Sequence, residues 1–297
     1  MIAPLLAALA LAWVSAAPLP EPRTEVGAAV LGGEIVVVGG LTDDGAASAR
    51  ADAYSPASGR WRRLPDLPVA VHHPLVASGG GRVYVAGGYG GALGAGERLR
   101  TVFAFDGVRW RARPRLPEPR AAGGAAVVGG RLYVVGGVGA TGLARRAFAL
   151  DLRTGRWSVV PAPTPREHLA VTTAGGRIYA LGGRKAGYDT NVATFESWRP
   201  GESGWRRLPD LPDVRGGTGA AVAAGRIVSV GGEEPAGTIG SVYAWNLARG
   251  GWGRLPDLPT PRHGLGVVAI GARVCAIAGG TSPGLTVSGA NECLGLR

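Results

Sequence analysis

The sequence predicts an all-β chain folded as a six-bladed propeller, four antiparallel strands to a blade. A glycine pair ends an apolar run at Gly39-Gly40, Gly87-Gly88, Gly136-Gly137, Gly182-Gly183, Gly231-Gly232 and Gly279-Gly280, at intervals of 48, 49, 46, 49 and 48 residues. Trp13, Trp61, Trp110, Trp157, Trp205 and Trp252 keep the same beat, at 48, 49, 47, 48 and 47. A repeat of this length made of short strands and turns builds radial blades, not a helical solenoid. Outside the extreme N-terminus, no run at helical spacing competes with that reading.

Within one period, Gly123 to Val160 shows the elements in order. GGAAVVGG, RLYVVGG, ARRAFALD and GRWSVV are apolar or aromatic segments divided by Gly-rich or Asp/Thr/Gly turns, here named strands A to D. The glycines ending strand B permit a left-handed turn where neighbouring backbones crowd. The tryptophan opening strand D is expected to bury its ring against the sheet beside them, glycine and indole forming one packing device.

Apolar residues closing on Val-Gly-Gly, then an aromatic and Asp or Asn in strand C (Phe105-Asp106, Tyr243-Ala244-Trp245-Asn246), then Trp, make the chain resemble the kelch repeat over essentially its whole length. It departs at Val228, where that repeat usually has Tyr, and at Leu150, where it has an aromatic. The resemblance, nearest to uncharacterised bacterial kelch-repeat proteins, implies a recognition scaffold, since many members bind protein partners.

Ring closure is the next expectation. The last repeat supplies strands A (264–270), B (274–280) and C (288–296), leaving strand D to be found elsewhere. Residues 13–23 match 252–262 at Trp, Leu, Pro, Pro and Arg, so the N-terminal segment is expected to complete blade 6 and remove an open edge. Residues 13–297 then form a single propeller domain.

Residues 1–17 also read as a leader. Ile2 to Val14 is nearly all apolar and Ser15-Ala16-Ala17 offers small residues for cleavage, which favours an exported protein, periplasmic or secreted, over a cytoplasmic one. No basic residue precedes the run, and cleavage after Ala17 would remove Trp13 from the closing strand. The run is too short to span a membrane. Cys275 and Cys293 fall on neighbouring strands of the last blade, either as a disulfide that suits export or as two buried thiols.

The net charge of +11 is almost wholly arginine, Lys185 being the only lysine. Strand D carries much of it (Arg62-Arg63, Arg206-Arg207), which reads as a solvated rim that resists edge pairing. No aromatic stripe interleaves with the basic residues, so nucleic acid is not an expected partner.

The D-to-A and B-to-C loops should share one face around the channel. Arg23, Arg120, Arg166, Arg215 and Arg262 begin strand A in five blades, blade 2 has Val71-His72-His73 instead, and His168 and His263 lie in the same loops. A ring of cationic or protonatable groups there is expected to attract an anion, the candidate ligand residues being Arg23, His72, Arg120, Arg166, His168, Arg215, Arg262 and His263. The competing expectation is that the repeated arginine donates to carbonyls of an adjacent turn.

Glu233 and Glu234 are the best acid/base pair, although adjacent strand residues point to opposite sides. The channel is expected to be too wide for three histidines to share a metal ion, and no cofactor is expected. The leading expectation is a non-catalytic, monomeric binding propeller for an anionic glycan or an acidic peptide. The rival is an enzyme: six-bladed kelch propellers include a sialic-acid mutarotase, the N-acetylneuraminate epimerase, whose resemblance implies a glutamate after the glycine pair and an arginine where Thr238 stands. The copper constellation of galactose oxidase is not reproduced.

Overall fold

Strand B of each blade reads as a continuous apolar run because both its faces are covered. In the computed structural model, which describes residues 11–296, Ile35, Val36, Val37 and Val38 are almost wholly buried, while Arg60–Arg63 on strand D of the same blade is mostly exposed. Blade 1 runs Gly27–Leu31, Glu34–Val38, Ala51–Ser55 and Arg60–Arg63, hydrogen-bonded in that order and antiparallel throughout. The described residues form six such four-stranded sheets. Apolar side chains of successive blades pack face to face, as Val36, Val38 and Ala53 do against Val83, Val85 and Phe105. Each aliphatic side chain buried this way contributes about 1.5–3 kcal/mol.

The inner A strands of neighbouring blades touch one another, and the crowding explains the glycine or alanine that opens five of the six, the exception being Leu75. A Cβ added at Gly124 would lie 2.1 Å from Val171 Cγ2, and one at Gly219 2.3 Å from Val267 Cγ2. Closure is as expected: Trp13–Ser15 pairs antiparallel with Asn291–Gly295, Trp13 opposite Leu294, and supplies strand D of blade 6. The apolar residues 2–10 of the expected leader lie outside the described residues. Cys275 and Cys293 stand opposite each other on strands B and C of that blade and are disulfide-bonded. No described helix is long and apolar enough to cross a membrane.

One expectation needs correcting. The strand D tryptophans do not pair with the glycines of their own blade; each indole Nε1 donates to a backbone carbonyl at the preceding blade junction. Trp61 donates to Ala17, Trp110 to Pro65, Trp157 to Pro114, Trp205 to Pro161, Trp252 to Pro209 and Trp13 to Pro256, all at 2.8–3.1 Å. The reason is that Trp opens an outer strand, where the nearest unpaired acceptor is the loop leaving the neighbouring blade. The partner of the glycine pair is the arginine.

The channel mouth as candidate functional site

Each D-to-A loop must turn sharply inward before strand A, and the residue two places after the arginine position takes a left-handed conformation. These residues are Glu25, His73, Ala122, His168, Gly217 and Gly264, with φ of 54°, 52°, 51°, 52°, 67° and 58°. Their backbones form a closed collar. His73 N–H donates to Glu25 O, Ala122 to His73, His168 to Ala122, Gly217 to His168 and Gly264 to Gly217, at 2.7–3.1 Å, and Val26 N–H completes the circle on Gly264 O at 3.2 Å. Non-glycine residues held at positive φ cost strain that persists where the surroundings over-determine it, often at functional sites.

The arginines do something else. Arg23, Arg120, Arg166, Arg215 and Arg262 are 0–1 % exposed. Each guanidinium donates to a carbonyl sixteen residues on, at the end of strand B: Gly39, Gly136, Gly182, Gly231 and Ala278. Carboxylates complete three of them with buried pairs, Asp52 on Arg23 at 2.7 Å, Glu196 on Arg166 at 2.5 Å and Glu292 on Arg262 at 2.6 Å. The main-chain carbonyl of each arginine accepts the N–H of a glycine-pair residue in the preceding blade, as Gly88 N–H does on Arg120 O at 2.7 Å. Of the two expectations for Arg23, Arg120, Arg166, Arg215 and Arg262, the anion-binding ring is therefore corrected and donation to neighbouring carbonyls is what the structure shows: the guanidinium groups are buried inside the blades, although Arg23 Nε and Arg120 Nε and Nη2 find no hydrogen-bond partner among the described residues. Burial pulls Arg23 and Arg120 down to about 10, with Asp52 and Glu118 opposing it.

The histidines do gather at the mouth. His73 Nε2 lies 3.1 Å from Glu25 Oε2, His263 Nδ1 lies 3.2 Å from Glu25 Oε1, and His72 and His73 approach Nδ1 to Nδ1 at 2.6 Å. His73 and His168 meet edge to face with ring centroids 4.8 Å apart. Burial pushes Glu25 up, but His73, the hydrogen bond to His263 and His168 outweigh it and hold the carboxyl well below its usual range. Burial pushes His73 well below an ordinary imidazole and His72 down to about 4. His263 is also pulled down by burial, yet its bond to Glu25 and the charge of Glu233 leave it raised.

Glu233 is 1 % exposed and binds Arg184 Nη1 at 2.7 Å. Glu234 is less buried beyond it on the two-residue strand Glu233–Glu234. The best acid/base candidates part as alternation along a strand leads one to expect: Glu233 is buried against Arg184, and Glu234 is the less buried of the two. A second arm of Arg184 reaches Glu167 at 3.4 Å. Glu25 and Glu167 are not among the residues singled out from sequence, whereas Arg184 heads one of the loops that break the repeat after the glycine pairs. The signal for Glu25 was present, since it stands in register with His73 and His168 two places after the arginine position.

The width expectation concerned three histidines sharing an ion, and what the collar gathers is different, carboxylates with one or two of them. The collar brings one ligand atom each of Glu25, His73 and His168 within 4.8 Å of one another, and likewise of Glu25, Glu233 and His263. Outside the collar a pocket of about 440 Å³ is lined by His72, Tyr89, Leu93, Arg98, Glu167 and Arg184 among others. Loops after the glycine pairs form its rim, and they carry exposed Leu93, Tyr188 and Leu285. Leu93 N–H is tied to Gly45 O at 2.9 Å, so loops of different blades support one another there.

Comparison with known proteins agrees with this architecture. Residues 12–183 match the family model described as the KLHDC2/KLHL20/DRC7 Kelch-repeats domain, and residues 165–212 match the Kelch motif. The Kelch-like protein terF of Aspergillus terreus is 30 % identical over 71 % of this chain and 50 % of its own length. Kelch-like protein 41 of Mus musculus is 36 % identical over 72 % of this chain and 36 % of its own. Kelch-like protein 35 of the same organism is 28 % identical over 76 % and 30 %. The chain thus spans about half the length, or less, of these curated relatives.

Proposed function

This chain belongs to the kelch-repeat family, and from that premise we propose that it is a binding propeller that captures a protein segment on the loop face around its channel. The observation that carries the proposal is the makeup of that face. Of the seven large hydrophobic residues left exposed among the described residues, three, Leu93, Tyr188 and Leu285, sit on B-to-C loops around the mouth, and the other four are scattered valines. Exposed Arg98 and Lys185 flank them. An apolar rim on a rigid scaffold, with cations beside it, suits a peptide carrying an apolar anchor and acidic neighbours better than a sugar. Arg98 and Lys185 are the cations available to acidic neighbours, but Asp43, Asp44, Glu97 and Asp189 stand exposed on the same loops, so the apolar anchor carries the proposal.

The sugar-mutarotase reading draws less support, since Glu233 is held by Arg184 and by Gly284 N–H at 3.2 Å. Selection from a displayed peptide library tests the proposal. Selected peptides are expected to lose at least ten-fold in affinity on Leu93→Asp or Tyr188→Ala, and to keep it on Val108→Asp at the outer rim. Binding indifferent to the mouth substitutions would refute it. An accelerated anomer exchange of sialic acid, lost in Glu233→Gln, would favour the enzyme instead.

A further inference from the structure

We propose that Glu25, His73 and His168 form a site for one divalent transition-metal cation at the channel mouth. The three donors occupy equivalent collar positions in blades 1, 2 and 4, each fixed by the inter-blade hydrogen bonds already described. One carboxylate oxygen and two ring nitrogens lie within 4.8 Å of one another, and the Glu25–His73 separation of 3.1 Å is near the ~3.3 Å between ligands of a tetrahedral ion with bonds of ~2.0–2.1 Å. Ala122 occupies the collar position between the two histidines, and its small side chain lets their rings meet.

The surroundings fit a cation. Metal-binding histidines commonly have their second nitrogen held by an outer partner, and His73 Nδ1 has His72 Nδ1 at 2.6 Å. The second oxygen of Glu25 is likewise held, by His263. His168 is nine-tenths buried, and its Nδ1 lies 3.5 Å from Glu167 Oε1, a neighbour of the kind that orients a metal-binding imidazole. Glu167 and Glu233 bind the guanidinium of Arg184, and Glu25 and Glu233 flank His263, so three carboxylates gather around one guanidinium and one imidazole. A dication would offset the excess negative charge.

Two imidazoles and one carboxylate select zinc or ferrous iron over calcium or magnesium, which prefer all-oxygen shells. The donors line a cavity of about 140 Å³ on the channel side, which leaves room for a water or an exogenous ligand in a fourth position. The neighbouring trio of Glu25, Glu233 and His263 is the weaker candidate, because Arg184 already occupies Glu233. His73 and His168 also line the pocket of about 440 Å³ bordered by Leu93, so the site adjoins the rim proposed for partner capture, while its test reads metal uptake and does not depend on that proposal.

Titration of EDTA-stripped protein with Zn²⁺, and with Co²⁺ read by its visible absorption, tests the assignment. One ion per chain is expected. Glu25→Gln and His168→Asn should each weaken binding at least ten-fold, Asn being chosen because it tolerates positive φ, while Asp189→Asn on a neighbouring loop should change nothing. Folded, stripped protein that takes up no zinc at ten-fold excess would overturn the proposal, as would unchanged affinity in both variants. Should a variant fail to fold, X-ray absorption at the zinc edge of the unaltered protein decides: two imidazoles and a carboxylate support the site, and an all-oxygen shell excludes it.

Discussion

Arg262 illustrates how one residue can carry two meanings in sequence, of which space selects one. Repetition at a channel mouth suggested a ligand; the side chain instead donates to Ala278, Thr260 and Ala276 carbonyls and pairs with Glu292. Removing one member of a buried pair leaves the other without compensation, at a cost of about 3–5 kcal/mol. Arg262→Met is therefore expected to lower unfolding free energy by about that amount in urea titrations, and Arg262→Met with Glu292→Met to recover most of it. A single variant as stable as the parent would mean that the pair contributes little. Glu25 is the opposite case, an ordinary acidic residue whose importance follows from its collar position alone.

Among the elements, strand D of blade 6 depends most on distant sequence. Trp13–Ser15 is joined to Asn291–Gly295 by a short ladder and by the Trp13 indole on Pro256, and the strand next to it is stapled by the disulfide between Cys275 and Cys293. That bond closes a separation of 18 residues, for which chain entropy gives about 3 kcal/mol. Cys275→Ser with Cys293→Ser is expected to lower stability by about 2–4 kcal/mol under oxidising conditions, whereas under strong reductant the two proteins should denature alike. A difference that persists in reductant would point to packing rather than the covalent link. The strand order of every blade was legible from the apolar runs and turn residues. The inter-blade role of the tryptophans was not, because an indole donor identifies no acceptor until neighbouring blades are placed side by side.

The closed ring of the whole molecule bears on how its N-terminus is treated. We keep export as a proposal, supported by the disulfide and by the leader-like composition of residues 1–17. A chain beginning at Pro18 would lack Trp13–Ser15 and expose the edge of Asn291–Gly295. Such a truncated protein is expected to melt several degrees lower and to associate through that edge, as calorimetry and light scattering would report; equal melting and a monodisperse monomer would show that closure does not need the strand. Sequence by itself determined the propeller, its six blades, its four-stranded order and the borrowed closing strand, because a periodic apolar pattern dictates which local pairings can bury it. Only the tertiary structure decided which polar groups are spent and which converge. Arginines equivalent in the repeat turn into the blades, where carbonyls await them, while Glu25, His73 and His168 come from three blades and meet only when the ring closes their backbones into one collar.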